Sequence, residues 1–143
     1  MLGTQNDNLA GVITHDELLA TAQSIAALQL PNGMIPWFKD GHCDPWNHVE
    51  TAMALDVMGM HTEARKAYEW LTSVQRADGS WHNYFKPDLT LEDPKLDTNV
   101  CAYIGTGVWH HWLSTNDEAF VRSMWPTVKK ALNWVLSMRR EDG

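Results

Sequence analysis

The densest run of groups able to do chemistry is His42-Cys43-Asp44-Pro45-Trp46-Asn47-His48-Val49-Glu50. Histidine, thiol and carboxylate are all zinc ligands. No second ligand pair at finger-like spacing follows, so neither a metal nor any other cofactor is expected. Asp44-Pro45 reads instead as a helix start, with Asp as N-cap and Pro at the first helical position. In a substrate pocket Asp44, His48 and Glu50 could act as acid, hydrogen-bond donor and orienting group. Asp97-Thr98-Asn99 opens another apolar helix in the same way. Capping alone is the competing account of both aspartates. If Asp44 and Asp97 face one another across a pocket, they form the carboxylate pair that glycoside hydrolysis uses. Asp56 falls among apolar residues, where a carboxylate needs a partner, and structural pairing is the expectation for it.

Aromatic residues surround these groups. Trp37 and His42 lie in one long loop, Trp81 and Tyr84 in another, and Trp46 follows Pro45. With Asn99 they are the candidate substrate-binding residues. Large aromatics are core by default. Those in loops could also stack on a sugar or shield an isoprenoid. His110 and His111 are adjacent on a helix, about 100° apart, and cannot jointly bind one metal.

The elements that must position these residues are helices. Thr14-His15-Asp16-Glu17 is a capping box, and the first helix runs from there to about Gln29. The second starts at Asp44-Pro45, is apolar nearly all round through Val57-Met58, and ends at Gly59. The third, from Thr62 to about Gln75, carries Glu63, Arg65, Lys66 and Glu69 on a wet side. The fourth, from Asp97, is charge-poor to Asn116; its polar residues mark a buried helix rather than a membrane span. Pro126 predicts a break between a short helix at Asp117–Ser123 and a last one to about Arg140. Outer and inner helices thus alternate. Inner-to-outer links are short, whereas outer-to-inner links, Pro31–Cys43 and Ser80–Leu96, are long and aromatic-rich. Ligands are expected on the long-loop face, above the N-termini of the buried helices.

The segment Ala67-Tyr68-Glu69-Trp70-Leu71-Thr72-Ser73-Val74-Gln75-Arg76-Ala77-Asp78-Gly79-Ser80-Trp81 ends a helix in a tight turn, with Gly79 as the stop. Ala131–Gly143 repeats it with Arg139 in place of Gln75, and Ala26–Gly33 is a weaker copy. From Gln29, Gln75 or Arg139 to the glycine the spacing is four each time. Fixed spacing inside copies at variable separation indicates repeated helical hairpins. The Ala67–Trp81 copy resembles the Gln-Trp repeat of squalene and oxidosqualene cyclases. That resemblance implies an all-α fold, an α/α toroid of helical hairpins like those of the terpenoid cyclase and prenyltransferase superfamily, related in architecture to six-hairpin glycosidases. It speaks to fold more than to chemistry. The aspartate-rich acid motif of the cyclases and the zinc ligands of protein prenyltransferases are both missing.

Residues 1–13 read as a lead-in and 14–143 as part of a toroid, the N-terminal portion of a larger barrel. The repeat stops at Gly143 with no counterpart of Trp81, so a fragment is expected, inactive alone and prone to self-association or dependent on a missing C-terminal half. A net charge of −7 argues against nucleic-acid partners. Cys43 and Cys101 make a poor disulfide framework and fit a reducing cytoplasm, and Met1–Asn8 has no signal-peptide pattern. Three functions remain open. They are a prenyltransferase or terpene-cyclase-like enzyme, a six-hairpin glycosidase-like carbohydrate-active protein, and a non-catalytic helical-repeat binding module. The substrate is a small molecule, isoprenoid or carbohydrate.

Overall fold

A computed structural model describes residues 11–141. Most of the expected lead-in and Gly143 therefore lie outside the described residues. Among the described residues the fold is all-α, with five helices and one small hairpin: α1 (His15–Leu28), α2 (Pro45–Val57), α3 (His61–Val74), β1 (His82–Phe85), β2 (Leu91–Leu96), α4 (Thr98–Thr115) and α5 (Glu118–Ser137). Helices α2 and α4 pack side by side, α3 covers α2, and α5 covers α4. Thr14 and Glu17 close the expected capping box on α1.

Two expectations about elements are corrected. Ser80–Leu96 is not an unstructured loop, because His82–Phe85 and Leu91–Leu96 pair as an antiparallel hairpin with irregular register. The turn is closed by Asp88, which accepts from the Thr90 amide and hydroxyl, and Cys43 bridges the outside of the hairpin at Phe85. Nor does Pro126 divide the last helix: α5 runs unbroken through it. Proline withholds one N–H from the Arg122 carbonyl, but both residues sit on the exposed face. The carbonyl left without its helical donor is on the solvent side, where the loss costs least.

The repeat holds the helices in order. Gln29 Nε2 donates to Gly33 O at 3.1 Å and to Glu63 O on α3 at 2.9 Å. Gln75 Nε2 donates to Gly79 O at 3.0 Å and to Thr127 O on α5 at 2.9 Å. Each glutamine thus ties its own turn to the next outer helix. Gly33 and Gly79 both have φ of 97°, and a Cβ on either would strike a backbone carbonyl, Lys66 or Lys130. Asn32 and Asp78 brace the turns identically, accepting from the Met34 and Ser80 amides at 3.0 Å. Trp81 folds back over the end of α3, its indole donating to Leu71 O at 2.8 Å.

The core gathers Leu55, Tyr68, Trp70, Leu71, Trp81, Ile104 and Phe120 between the inner pair and α3 and α5. Gly107 lets α4 approach, since a Cβ there would meet Val49 and Tyr68. At the end away from the long loops, Asp56 is buried and paired. His111 Nδ1 and His61 Nδ1 each lie 2.9 Å from its carboxylate. This is the structural pairing expected for Asp56, and it puts His111 in the core. Arg65 and Asp117 form an ion pair beside it.

Candidate functional site

Asp44 caps α2 and Asp97 caps α4. Tyr103, six residues past Asp97, donates to Glu50, six residues past Asp44, at 3.2 Å. That match means α2 and α4 run parallel and in register, with both aspartates at the long-loop end. Loop and hairpin join over this end through the Cys43–Phe85 bridge.

Asp44 is buried and fully engaged. Oδ1 accepts from the Asn47 amide at 2.9 Å; Oδ2 accepts from Asn47 Nδ2 at 2.9 Å and from the Trp37 indole at 2.7 Å. Its cap role and its contact with a solvent-exposed aromatic coexist, because Trp37 is itself 49% exposed. Around Trp37 lies an aromatic cluster. The His42 ring is 4.8 Å from Trp37 and 4.7 Å from Tyr84, and Phe38, also exposed, is 5.9 Å from His42. Glu92 on β2 holds His42 Nδ1 at 2.6 Å. The hairpin that the sequence did not disclose thus supplies Tyr84 and Glu92 to this platform. The strand signal was weak, since Pro94, Asp93 and Glu92 all disfavour a strand.

Asp97 is half-buried, with Oδ1 on the Asn99 and Val100 amides at 2.8 and 3.4 Å. Asn99 is exposed beside it. Trp46 is half-buried and packs against Tyr103, ring centres 5.5 Å apart. Glu50 is exposed. Tyr103 was not singled out in the sequence; a tyrosine within a long apolar helix gives no signal of the face it occupies.

Two predicted site residues lie elsewhere. His48 is 1% exposed, its Nδ1 accepting from the Ile35 amide at 3.3 Å and its Nε2 donating to Ala67 O at 2.9 Å. Its counterpart in the next repeat is Cys101, whose sulfur accepts from the Trp81 amide at 3.2 Å. Each follows its helix cap by four residues, and each receives the amide that follows the repeat's turn. His48 therefore holds the Met34–Ile35 segment. Burial, only partly offset by those hydrogen bonds, lowers its pKa to about 4. Trp81 is likewise core, with its indole spent on Leu71. Its position next to the glycine turn sends it inward.

Among the described residues no three of His, Cys, Asp and Glu converge as metal ligands, and no helix is long and apolar enough to cross a membrane. Cys43 and Cys101 are free and buried. Burial pushes both thiols above the usual cysteine range.

No protein-family profile matches the chain. Over 133 residues it is 48% identical to an MMP endo-(1,4)-3-O-methyl-alpha-D-mannosidase of Mycolicibacterium hassiacum, covering 93% of this chain and 37% of the mannosidase. These relatives are glycosidases. A second relative is an uncharacterized glycosyl hydrolase of Methanocaldococcus jannaschii, 33% identical over 116 residues, covering 78% of this chain and 17% of the hydrolase. The chain thus spans well under half the length of the relatives it matches. Neither is a prenyltransferase or a terpenoid cyclase, so the relatives favour the glycosidase alternative over the reading drawn from the Gln-Trp resemblance.

Proposed function

We propose that this chain is part of an α/α-toroid glycosidase that cleaves an α-linked mannoside chain bearing O-methyl groups. The observation that carries the reading is the 48% identity to the endo-mannosidase across 93% of the chain. The geometry supports it with carboxylates and aromatic faces at one end of the inner helices. Both retaining and inverting glycosidases need two carboxyl groups flanking the scissile bond. Asp44 and Asp97 are our candidates for that pair, while Glu50 and Asn99 orient the sugar. Asp44 is held by three N–H donors, so its carboxyl is fixed where Trp37 opens to solvent. Trp37, His42, Tyr84 and Trp46 offer the flat apolar faces against which pyranose C–H groups pack.

The test is hydrolysis of a 4-linked α-3-O-methylmannoside oligosaccharide by the full-length protein and its Asp44→Asn and Asp97→Asn variants. Asparagine preserves each helix cap. Loss of a proton-transfer group costs about 100-fold or more in turnover, with oligosaccharide binding retained. In Asp44→Asn the new NH2 group faces two donors, so Trp37→Phe/Asp44→Asn, which removes one of them, is measured alongside. Full turnover in all three variants would remove both aspartates from the chemistry.

A further inference from the structure

We propose that Trp46, Glu50 and Tyr103 form a sugar subsite on the open face of the inner helix pair, with Tyr103 the residue that positions Glu50. The proposal rests on the glycosidase reading and deepens it, by joining Trp46 and Glu50 into one subsite and giving Glu50 a positioning partner, Tyr103.

The open face can be read from exposure. Along α2, Trp46, Glu50, Met53 and Val57 are spaced four, three and four residues apart, which is one helical stripe. None of them is fully buried, whereas Val49, Ala52 and Leu55 on the other side are. Along α4, Asn99, Tyr103 and Thr106 make the same stripe, and Ile104 and Val108 are buried behind them. With α3 and α5 behind the inner pair, these two stripes face outward from the core. The α2 stripe is apolar beyond Glu50. Glu50 and Asn99 lie toward the end that also carries Asp44 and Asp97.

At that end the parts suit a pyranose. The Trp46 and Tyr103 rings are tilted at 56° with centres 5.5 Å apart, a wedge of two half-buried rings. Such a wedge takes the apolar face of a hexose, and it takes a methyl ether better than a hydroxyl, since the rings offer the methyl contact and ask no hydrogen bond of it. Glu50 accepts from Tyr103 through Oε1. Among the described residues its Oε2 has no partner, which leaves it to accept from a free sugar hydroxyl. A lone exposed glutamate samples many rotamers, and the Tyr103 bond removes most of that freedom before the sugar arrives. Burial and the hydrogen bond to Glu50 also raise the Tyr103 pKa, keeping the hydroxyl a donor throughout the working range.

The experiment uses the full-length protein and a 4-linked α-3-O-methylmannoside oligosaccharide, with affinity read by calorimetry and stability by thermal unfolding. Tyr103→Phe keeps the ring and removes the donor. We expect it to bind about tenfold more weakly with an unchanged melting temperature. Glu50→Gln should weaken binding at least as much, and the double variant no more than Glu50→Gln alone, because Tyr103 acts through Glu50. Wild-type affinity in both Tyr103→Phe and Glu50→Gln, while the enzyme still hydrolyses the sugar, would overturn the subsite and leave the glycosidase reading standing. Affinity lost only in step with melting temperature would also overturn it, by making the contact structural. A wild-type protein that neither binds nor cleaves an α-mannoside would overturn both.

Discussion

Asp44 and His48 lie four residues apart on one helix turn and do different work. Asp44 faces the loops and meets the exposed Trp37, while His48 faces inward and is enclosed by Trp70, its ring 4.7 Å away. The enclosed imidazole has a measurable consequence. In the folded chain its pKa is about 4 against an ordinary 6.5, so on acidification the unfolded chain takes the proton first. Stability is therefore fully present above the unfolded value, declines as pH falls between 6.5 and 4, and levels off below. The loss across that window is about 3 kcal/mol. Chemical unfolding of wild type and His48→Gln at both ends of the window should show wild type losing that much more than the variant. Equal losses would mean that folding does not lower the pKa of this histidine.

The turns after α1 and α3 are the working unit at the scale of elements. Each has glycine at positive φ pressed on the backbone of the next outer helix and a glutamine donating across to the same helix. Gly79→Ala adds a Cβ against the Lys130 carbonyl as well as backbone strain, and should cost about 2–4 kcal/mol. Ser80→Ala removes a buried hydroxyl that donates to Asp78 and accepts from Arg76, and should cost about 1 kcal/mol. Denaturant titrations of the two variants rank them, and a Ser80 cost equal to or above that of Gly79 would contradict the close approach. Gln75→Ala should loosen α5 more than α3, seen as faster amide exchange near Thr127, since Gln75 is the tie across that joint.

Across the whole molecule the inner pair is covered on one side only. Between α4 and α5, Val108, Trp109, Trp112, Val121, Trp125 and Val128 line an open groove of about 470 Å³. Trp109 and Trp125 are more than half exposed there. An apolar surface of this kind associates or is covered. The 143-residue polypeptide by itself should therefore bind a hydrophobic dye and sediment above monomer mass. A compact monomer with no dye binding would mean that five helices complete a core, and it would remove the support for the toroid.

The sequence by itself determined the first four helices, the caps at Thr14, Asp44 and Asp97, and the repeat, while it wrongly divided α5 at Pro126. These are local: Asp44-Pro45, Thr14 with Glu17, and glutamine four residues before glycine each act through neighbours a few bonds away. The inner or outer place of each helix followed from apolar periodicity, and the loop-end position of Asp44 and Asp97 followed from loop lengths. Tertiary structure alone decided which side of an apolar helix stays open. Helices α2 and α4 are apolar nearly all round, so composition could not separate His48, which is enclosed, from Glu50 and Tyr103, which are not. It also decided that Trp81 is core while Trp37 is exposed, because packing against α3 depends on where the glycine turn lands. The hairpin at His82–Leu96 owes its existence to pairing with a partner strand and to Cys43, contacts that no local pattern in Glu92-Asp93-Pro94 foretells.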